Sequence, residues 1–592
     1  MTLRGCLRIL GIGSIALVLV LVALVYGFWV YPFWGMPFNA QRHGNPPITP
    51  AWALEAWVWE DDINTREFVE ELLAGYREHD IPARTILLDS PWSMRYNDFE
   101  VDEERYPNPA EFFQNLQDEG YRVVLWMTPM VNSQNPDTGI RDSRDWFEEA
   151  RDNGYLLGNG AEFGWWKGRG GLIDYTHPEA QAWWRGMQQQ VFDWGIDGWK
   201  LDGGATLAGT RLGGGPIPIP WVRSHQGWIP TRHYMDLYYR GEYEHGLTQN
   251  PEFITLARSL DAVLPWAHPE GFAPIDSAPV AWVGDTRHSW DDEDRGIERA
   301  IRVILDSAAM GYSVVGVDVG GYHGGPPVPR DVDMRPIPSD VYIRWAYFSA
   351  LNPLFLNGGH RERRLWLYDD IVLEEVRRAA WLHDELVPYV YSHVVEAHHG
   401  AEVIIRPVAK TGYDYFYGEH LFVAPIHRPE HDRTVTLPEG RWRNFLQPGE
   451  AIDGPATFTR EYSLREYPVY VRDGAIIPMN ISRDYTGIGD RASEGYITWN
   501  IFPGGTSAFT LHHTDNSGKS TLQVVEAEDA LRLTMDGMHH PHMLCIYSER
   551  PATAVTIDGN RLHEGVDWRN RDDNRIVIRT DVYRDGIYEV QF

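Results

Sequence analysis

From about residue 50 to about residue 396 the chain alternates short β runs with helical patterns, and this alternation constrains the fold more than any other feature. Strand–helix–strand repeats imply parallel strands joined by crossover helices, hence a mostly parallel sheet. Candidate strands end near Trp59, Asp89, Met127, Asp202, His268, Asp285, Asp318 and Asn357. Eight such ends predict a (β/α)8 barrel. Two crossovers can be read closely. In NTREFVEELLAGYREHDIP, Asn64 and Glu67 have capping-box spacing, Phe68, Leu72 and Tyr76 repeat every four residues, and Pro82 follows the stop. A second helix is expected after Thr176, with Glu179 three positions on and Trp183, Met187 and Val191 along one face.

After about residue 397 the periodicity changes to short β runs separated by turn signals such as LPEG and RDGA, which predicts β-sandwich domains. The expected organisation is a barrel over 50–396, a proximal sandwich over 397–483 and a distal sandwich over 484–592, with DYTGIGDRASEG at 484–495 as linker. Ahead of the barrel, the run Ile9 to Tyr31 carries no charge and is long enough to cross a bilayer. Arg4 and Arg8 precede it and no Lys or Arg follows until Arg42. The positive-inside rule then leaves the first residues cytoplasmic and sends the rest across, to a periplasmic, extracellular or lumenal side. A cleavable signal peptide, giving a secreted protein, is the rival; its apolar region is usually shorter and ends in a small-x-small site, whereas the flank here is GFWVYPFWG. Residues 1–31 are therefore expected to be an anchor or signal segment and 32–49 a linker.

Composition narrows the partners. Acidic residues outnumber basic ones by 84 to 53, giving a net charge of −31, which argues against nucleic acid and suits a neutral substrate. The 25 Trp and 30 Tyr suit stacking on the flat apolar faces of sugars, although most will be core. Cys6 and Cys545 are the only cysteines, and Cys6 lies before the apolar run, so no internal disulfide is expected. The doublets His398–His399, His512–His513 and His539–His540 read as solvated, because neighbours on a strand point to opposite faces; no metal site is expected. No GxGxxG or P-loop stands in a strand-to-helix context, so no nucleotide cofactor is expected either. The oligomeric state is not legible.

The chemistry concentrates at four strand ends. ARTILLD, GWKLD, VAWVGD and SVVGVD each close on an aspartate, and catalytic groups of (β/α)8 barrels sit at C-terminal strand ends. Any one of these aspartates could simply cap the following helix. A helix cap does not need the lysine two residues before Asp202, nor the tryptophan three residues before Asp285. Retaining hydrolysis of a glycoside needs one carboxylate as nucleophile and one carboxylic acid for the leaving oxygen, about 5 Å apart. Asp202, with Lys200 on the same strand face, should stay ionised; Asp285, between Trp282 and Trp290, should have its pKa raised by desolvation.

At these residues the chain resembles glycoside hydrolase family 31, retaining enzymes acting mostly on α-glycosides. The likeness runs from about Pro47 to about Asp558 through DSPWSMRYNDFEVDEERYPNP, LQDEGYRVVLWMTP, IDYTHPEAQAWW, GIDGWKLD, WVGDTRHSW, GYSVVGVDVGGY, YFYGEHLFVAPI, LPEGRW and YPVYVRDGAIIPM, in family order. The resemblance implies Asp202 as nucleophile and Asp285 as acid/base. It implies Asp89 as a ligand of the cleaved sugar's hydroxyls, Asp318 and Tyr322 as the Asp-x-Gly-Gly-aromatic motif, Trp126 and Trp282 as pocket walls, and Lys200 as the lysine of the Lys-x-Asp subgroup. His360, after FSALNPLFLNGG, resembles the histidine that contacts the same sugar, although the family usually shows Arg-Asn-His there. Three departures stand out. The glutamate usually three residues past the nucleophile is Ala205, the pocket arginine upstream of the acid falls on Pro269 or Glu270, and the family's N-terminal β-sandwich is missing ahead of the barrel. The expected activity is a membrane-anchored α-glycosidase working by double displacement on oligosaccharides or glycoconjugates. A retaining α-galactosidase, a transglycosidase and a non-catalytic glycan-binding barrel are the alternatives.

Overall fold

The computed structural model describes residues 3–34, 44–212, 215–260, 273–291, 293–324, 334–447, 449–579 and 584–592. Eight parallel strands form a closed barrel: β1 Trp57–Val58, β2 Thr85–Leu88, β3 Arg122–Met127, β4 Gly198–Leu201, β5 Ile254–Arg258, β6 Val280–Trp282, β7 Val315–Asp318 and β8 Leu354–Asn357. Sequence neighbours are sheet neighbours throughout, and β1 closes the ring against β8 with Trp57 opposite Leu356. The strands are short, near-continuous apolar runs, as expected where both faces of a parallel sheet are covered. Seven of the eight expected strand ends fall within three residues of an observed one. The exception is the end near His268, which lies outside the described residues; the strand of that region is Ile254–Arg258, ten positions earlier.

Two helices show how local chemistry sets the crossovers. Arg66–Glu78 buries Phe68, Leu72 and Tyr76, the expected stripe, but its N-cap is Thr65, whose hydroxyl accepts from Phe68 N at 3.3 Å. Asn64 instead turns back to Asp61 O at 2.9 Å. Pro178–Asp193 is capped by the His177 ring rather than by Thr176. Its buried stripe is Ala180, Trp184, Gln188 and Val191, one position on from the expected Trp183 and Met187. The reason is polar. Trp184 Nε1, Gln188 Nε2 and Arg185 all reach the buried Glu242 carboxylate, which draws that face inward.

The chain falls into two compact units. One comprises Met1–Gly44, Ser90–Gln114 and Leu125–Ala278; the other comprises Asn45–Asp89, Asn115–Val124 and Pro279–Phe592. The first carries an excursion between β3 and β4, an antiparallel sheet of Met130–Gln134, Gly168–Leu172 and Phe163–Trp165. It also carries the N-terminal helix Leu3–Val25, continued through Trp34, within which Ile12–Phe33 is long and apolar enough to cross a membrane.

The second unit ends in sheets. Ile405–Glu461 and Val469–Arg472 build a six-stranded sheet over Phe422, Val435, Leu437 and Trp442. A five-stranded and a six-stranded sheet then share one core, with Trp499, Ile501, Leu544 and Ile546 from one and Leu522, Leu533, Val555 and Val590 from the other. That shared core makes a sandwich. The stretch 484–495, expected as a linker, joins two strands of a single sheet, Ile476–Met479 and Ile497–Ile501. It is tied down at its start: Thr486 donates to buried Glu385 at 3.0 Å, and Tyr485 to Asp80 at 3.1 Å.

Candidate active site

In the first unit, Asp202 is the residue after β4 and is buried. Its backbone is pinned on both sides: the N–H donates to Met127 O at 2.9 Å, and the carbonyl accepts from Tyr238 at 3.0 Å. Gly203 follows in the left-handed region at φ 67°, where a Cβ would meet Thr128 at 2.9 Å. That turn aims the Gly203 N–H back at Asp202 Oδ1, 2.9 Å away. The same oxygen accepts from Arg258, Nη2 at 3.1 Å and Nε at 3.3 Å, while Oδ2 accepts from Trp126 Nε1 at 3.3 Å. Burial alone would raise the Asp202 pKa, but the Arg258 guanidinium, then Lys200 and the Gly203 N–H, outweigh it and hold the carboxyl below the ordinary aspartate value. Behind Trp126 the aromatic wall continues. Trp165 stacks on it at 6.2 Å between centroids and 7° between planes, and Trp166, 49% exposed, meets Trp165 edge-on at 4.9 Å.

In the second unit, Asp89 follows β2 and is buried, Asp318 ends β7 and is buried, and Asp285 stands three residues past β6, half-buried rather than enclosed. Trp282 is buried within β6. Tyr322 lies four residues past Asp318, in a turn that passes Gly321 at φ 90°, where a Cβ would come within 2.7 Å of the Arg287 backbone. Tyr322 stacks on Trp59 at 5.9 Å and donates to Asp61 Oδ2 at 2.6 Å. Burial first, then the negative fields of Asp61, Asp285 and Asp89, push its pKa well up, so it is a neutral phenol. His360 is held between two carboxylates, Nε2 at 3.2 Å from Asp61 and Nδ1 at 2.9 Å from Asp62, and its ring lies 4.8 Å from that of Tyr322. Burial would lower its pKa, but Asp61 and Asp62 win and raise it to about 9, so the ring is an imidazolium at neutral pH. Buried Glu60 beside them is pushed up to about 8, by burial first, and stays protonated. Fully buried Arg363 clamps the turn, donating to Val319 O at 2.7 Å, Gly321 O at 2.8 Å and His360 O at 2.9 Å.

The expected residues thus gather into two sets. Asp202, Lys200 and Trp126 share one, and Asp89, Asp285, Tyr322 and His360 share the other, with Asp318 at the strand end that starts the Tyr322 turn and Trp282 at the strand end before Asp285. Ala205 occupies the position of the family's glutamate, half-buried; Pro269 and Glu270 lie outside the described residues. Sequence reading missed Arg258, Arg363, the Glu60–Asp61–Asp62 run and the Trp165–Trp166 wall. Arg258 had a signal. ITLAR is an apolar run closing on a charge, like GWKLD, ten residues before the strand end expected near His268.

The family model described as the glycosyl hydrolases family 31 TIM-barrel domain matches residues 46–393, and that of the family's C-terminal domain matches 399–477. An α-xylosidase of Emericella nidulans is 24% identical over 74% of this chain and 54% of its own length. The α-xylosidase XylQ of Lactiplantibacillus pentosus is 26% identical over 74% of this chain and 56% of its own. The chain therefore spans a little over half the length of these relatives. Among solved structures, a family 31 dextranase of Flavobacterium johnsoniae complexed with isomaltotriose superposes with a TM-score of 0.75 at 20% identity, covering 93% of this chain and 72% of that one. With a barrel-domain match over more than half its residues, this chain belongs to glycoside hydrolase family 31.

Proposed function

We propose that the protein is a retaining α-glycosidase acting by double displacement, with Asp202 as nucleophile and Asp285 as acid/base. The observation that carries this reading is the ionised Asp202 carboxylate, held at the end of a barrel strand by Arg258, Lys200 and a backbone N–H. Both aspartates follow C-terminal strand ends of one closed parallel barrel, the end that carries the chemistry in such folds. In the first step an Asp202 oxygen attacks the anomeric carbon while the Asp285 carboxyl passes its proton to the departing glycosidic oxygen. In the second, the Asp285 carboxylate takes a proton from water, whose oxygen attacks the same carbon and frees Asp202. Asp285 is half-exposed, which suits a group that must meet both the leaving group and water.

Asp89, Asp318, Tyr322 and His360 would bind the hydroxyls of the sugar being cleaved, with Trp126 and Trp282 as walls. The names of the α-xylosidase relatives support an α-linked xyloside as substrate, and that of the dextranase, a likeness in fold, is consistent with an α-linked glucoside, in either case of an oligosaccharide or glycoconjugate. A second reading, transfer to an acceptor sugar in place of water, is favoured by exposed Trp166, a stacking surface continuous with Trp165 and Trp126. The helix Ile12–Phe33 supports anchoring in a membrane with the barrel on the non-cytoplasmic side.

The test is hydrolysis of a panel of aryl α-glycosides, with sugar acceptors added in a second series. Turnover of α-xyloside or α-glucoside is expected, with Asp202→Asn slower by on the order of 10^4-fold or more. Sugar binding without turnover of any substrate would replace this reading with a glycan-binding barrel.

A further inference from the structure

The distal sandwich brings together two histidines that the sequence keeps in separate doublets. His513 opens the turn between strands Thr506–His512 and Lys519–Ala527, and His540 lies in the loop between Ala530–Asp536 and His542–Tyr547. Their rings stand 4.9 Å apart at 87°. Asp515 completes the group, and one ligand atom from each of the three lies within 4.8 Å of the other two. The doublet partners turn elsewhere: His512 Nε2 is 2.7 Å from Glu396, and His539 is exposed. Opposite-facing neighbours therefore do not exclude a site built from one member of each pair.

The surrounding hydrogen bonds fix which atoms face inward. Ser520, buried beneath the turn, places its hydroxyl 3.0 Å from Gly537 O and 2.6 Å from His513 Nε2. A carbonyl can only accept, so the Ser520 proton goes to Gly537 and its oxygen accepts from His513 Nε2–H. His513 Nδ1 is then the nitrogen with the free lone pair, and it points to Ser517 Oγ at 3.0 Å. The same hydroxyl lies 3.4 Å from His540 Nε2. Asp515 is oriented too: Oδ1 accepts from Ser517 N at 2.9 Å, leaving Oδ2 at 3.5 Å from His540 Nε2. Donor atoms bound about 2.0–2.2 Å from a tetrahedral ion lie about 3.3 Å apart, so that pair is already near ligand spacing.

We propose that His513 Nδ1, His540 Nε2 and Asp515 Oδ2 form a site for one divalent transition-metal ion of the zinc class, with the Ser517 hydroxyl or a water as fourth ligand. Two imidazoles and one carboxylate favour zinc over calcium or magnesium, which take oxygen ligands. The ion ties the 513–518 turn to the loop carrying His540, and Ser520 is the positioning residue that sets the His513 tautomer.

The experiment is calorimetric titration of the chelator-stripped full chain with zinc chloride, with cobalt(II) absorption as a probe of coordination and thermal melting as a second readout. One equivalent is expected to bind, raise Tm and give the visible band of a four-coordinate cobalt site. His540→Ala and Asp515→Asn change half-exposed or exposed side chains and should leave the fold intact while weakening binding about a hundredfold. Ser520→Ala should weaken it about ten- to a hundredfold. Failure of the wild-type chain to take up one equivalent, or equal affinity in His540→Ala and Asp515→Asn, would overturn the site.

Discussion

At the scale of single residues, Asp202 is ionised although buried because the Arg258 guanidinium, with Lys200 and the Gly203 N–H, outweighs its desolvation. Removing Arg258 tests the cause. With Arg258→Met, burial is opposed by Lys200, the Gly203 N–H and the Trp126 indole N–H but no longer by the guanidinium, so the Asp202 pKa must rise. A nucleophile has to be deprotonated, and the acidic limb of kcat/KM should therefore move to higher pH. Activity should partly recover well above that limb. Arg258→Lys should sit between the two, because an ammonium keeps the charge but not the two-nitrogen contact with Oδ1. A pH–rate profile reads this directly, and an unmoved limb would show that Arg258 does not control the carboxylate. The sequence showed Lys200 because it is two residues from Asp202 on one strand, where period-two alternation places both on one face. It hid Arg258, whose contact with Asp202 spans 56 residues and depends on strand order. The same holds for His360, legible as a family position, and for the Asp61 and Asp62 carboxylates that charge it, which only the three-dimensional path of the β1 loop brings close.

Among the elements, the turns after the strands carry more of the chemistry than the strands do. The β7 turn runs Asp318-Val-Gly-Gly-Tyr322, and Gly321 holds it at φ 90° against the Arg287 backbone while Arg363 clamps its carbonyls. Gly321→Ala should cost about 1–3 kcal/mol for the forced backbone alone. It should also raise KM more than it lowers kcat, because Tyr322 is placed by the turn and not by the strand. Denaturant melts and steady-state kinetics check both halves; wild-type stability with wild-type KM would show that the turn tolerates a side chain. Seven of the eight strand ends were legible as the ends of short apolar runs; that of Ile254–Arg258 was not, its expected position near His268 lying ten residues later. Helix faces were less so. The stripe of Pro178–Asp193 slipped by one position because buried Glu242 recruits Gln188 and Trp184, a polar attraction that hydrophobic periodicity does not register.

At the scale of the whole molecule, alternation over the first two-thirds and short β runs after it were enough to read a barrel followed by sheets, and the family motifs fixed the chemistry to be expected. What stayed hidden were the long-range pairings that bring separate segments together, among them the His513–Asp515–His540 group. The claim on which the rest depends is that the ionised carboxylate of Asp202 forms a covalent bond to the sugar. Incubation with a slow fluorosugar α-glycoside, followed by proteolysis and mass spectrometry, measures this directly. One glycosyl ester is expected, on the peptide containing Asp202 and absent from Asp202→Asn. A label on another carboxylate, or turnover of substrate with inversion and no label, would contradict it.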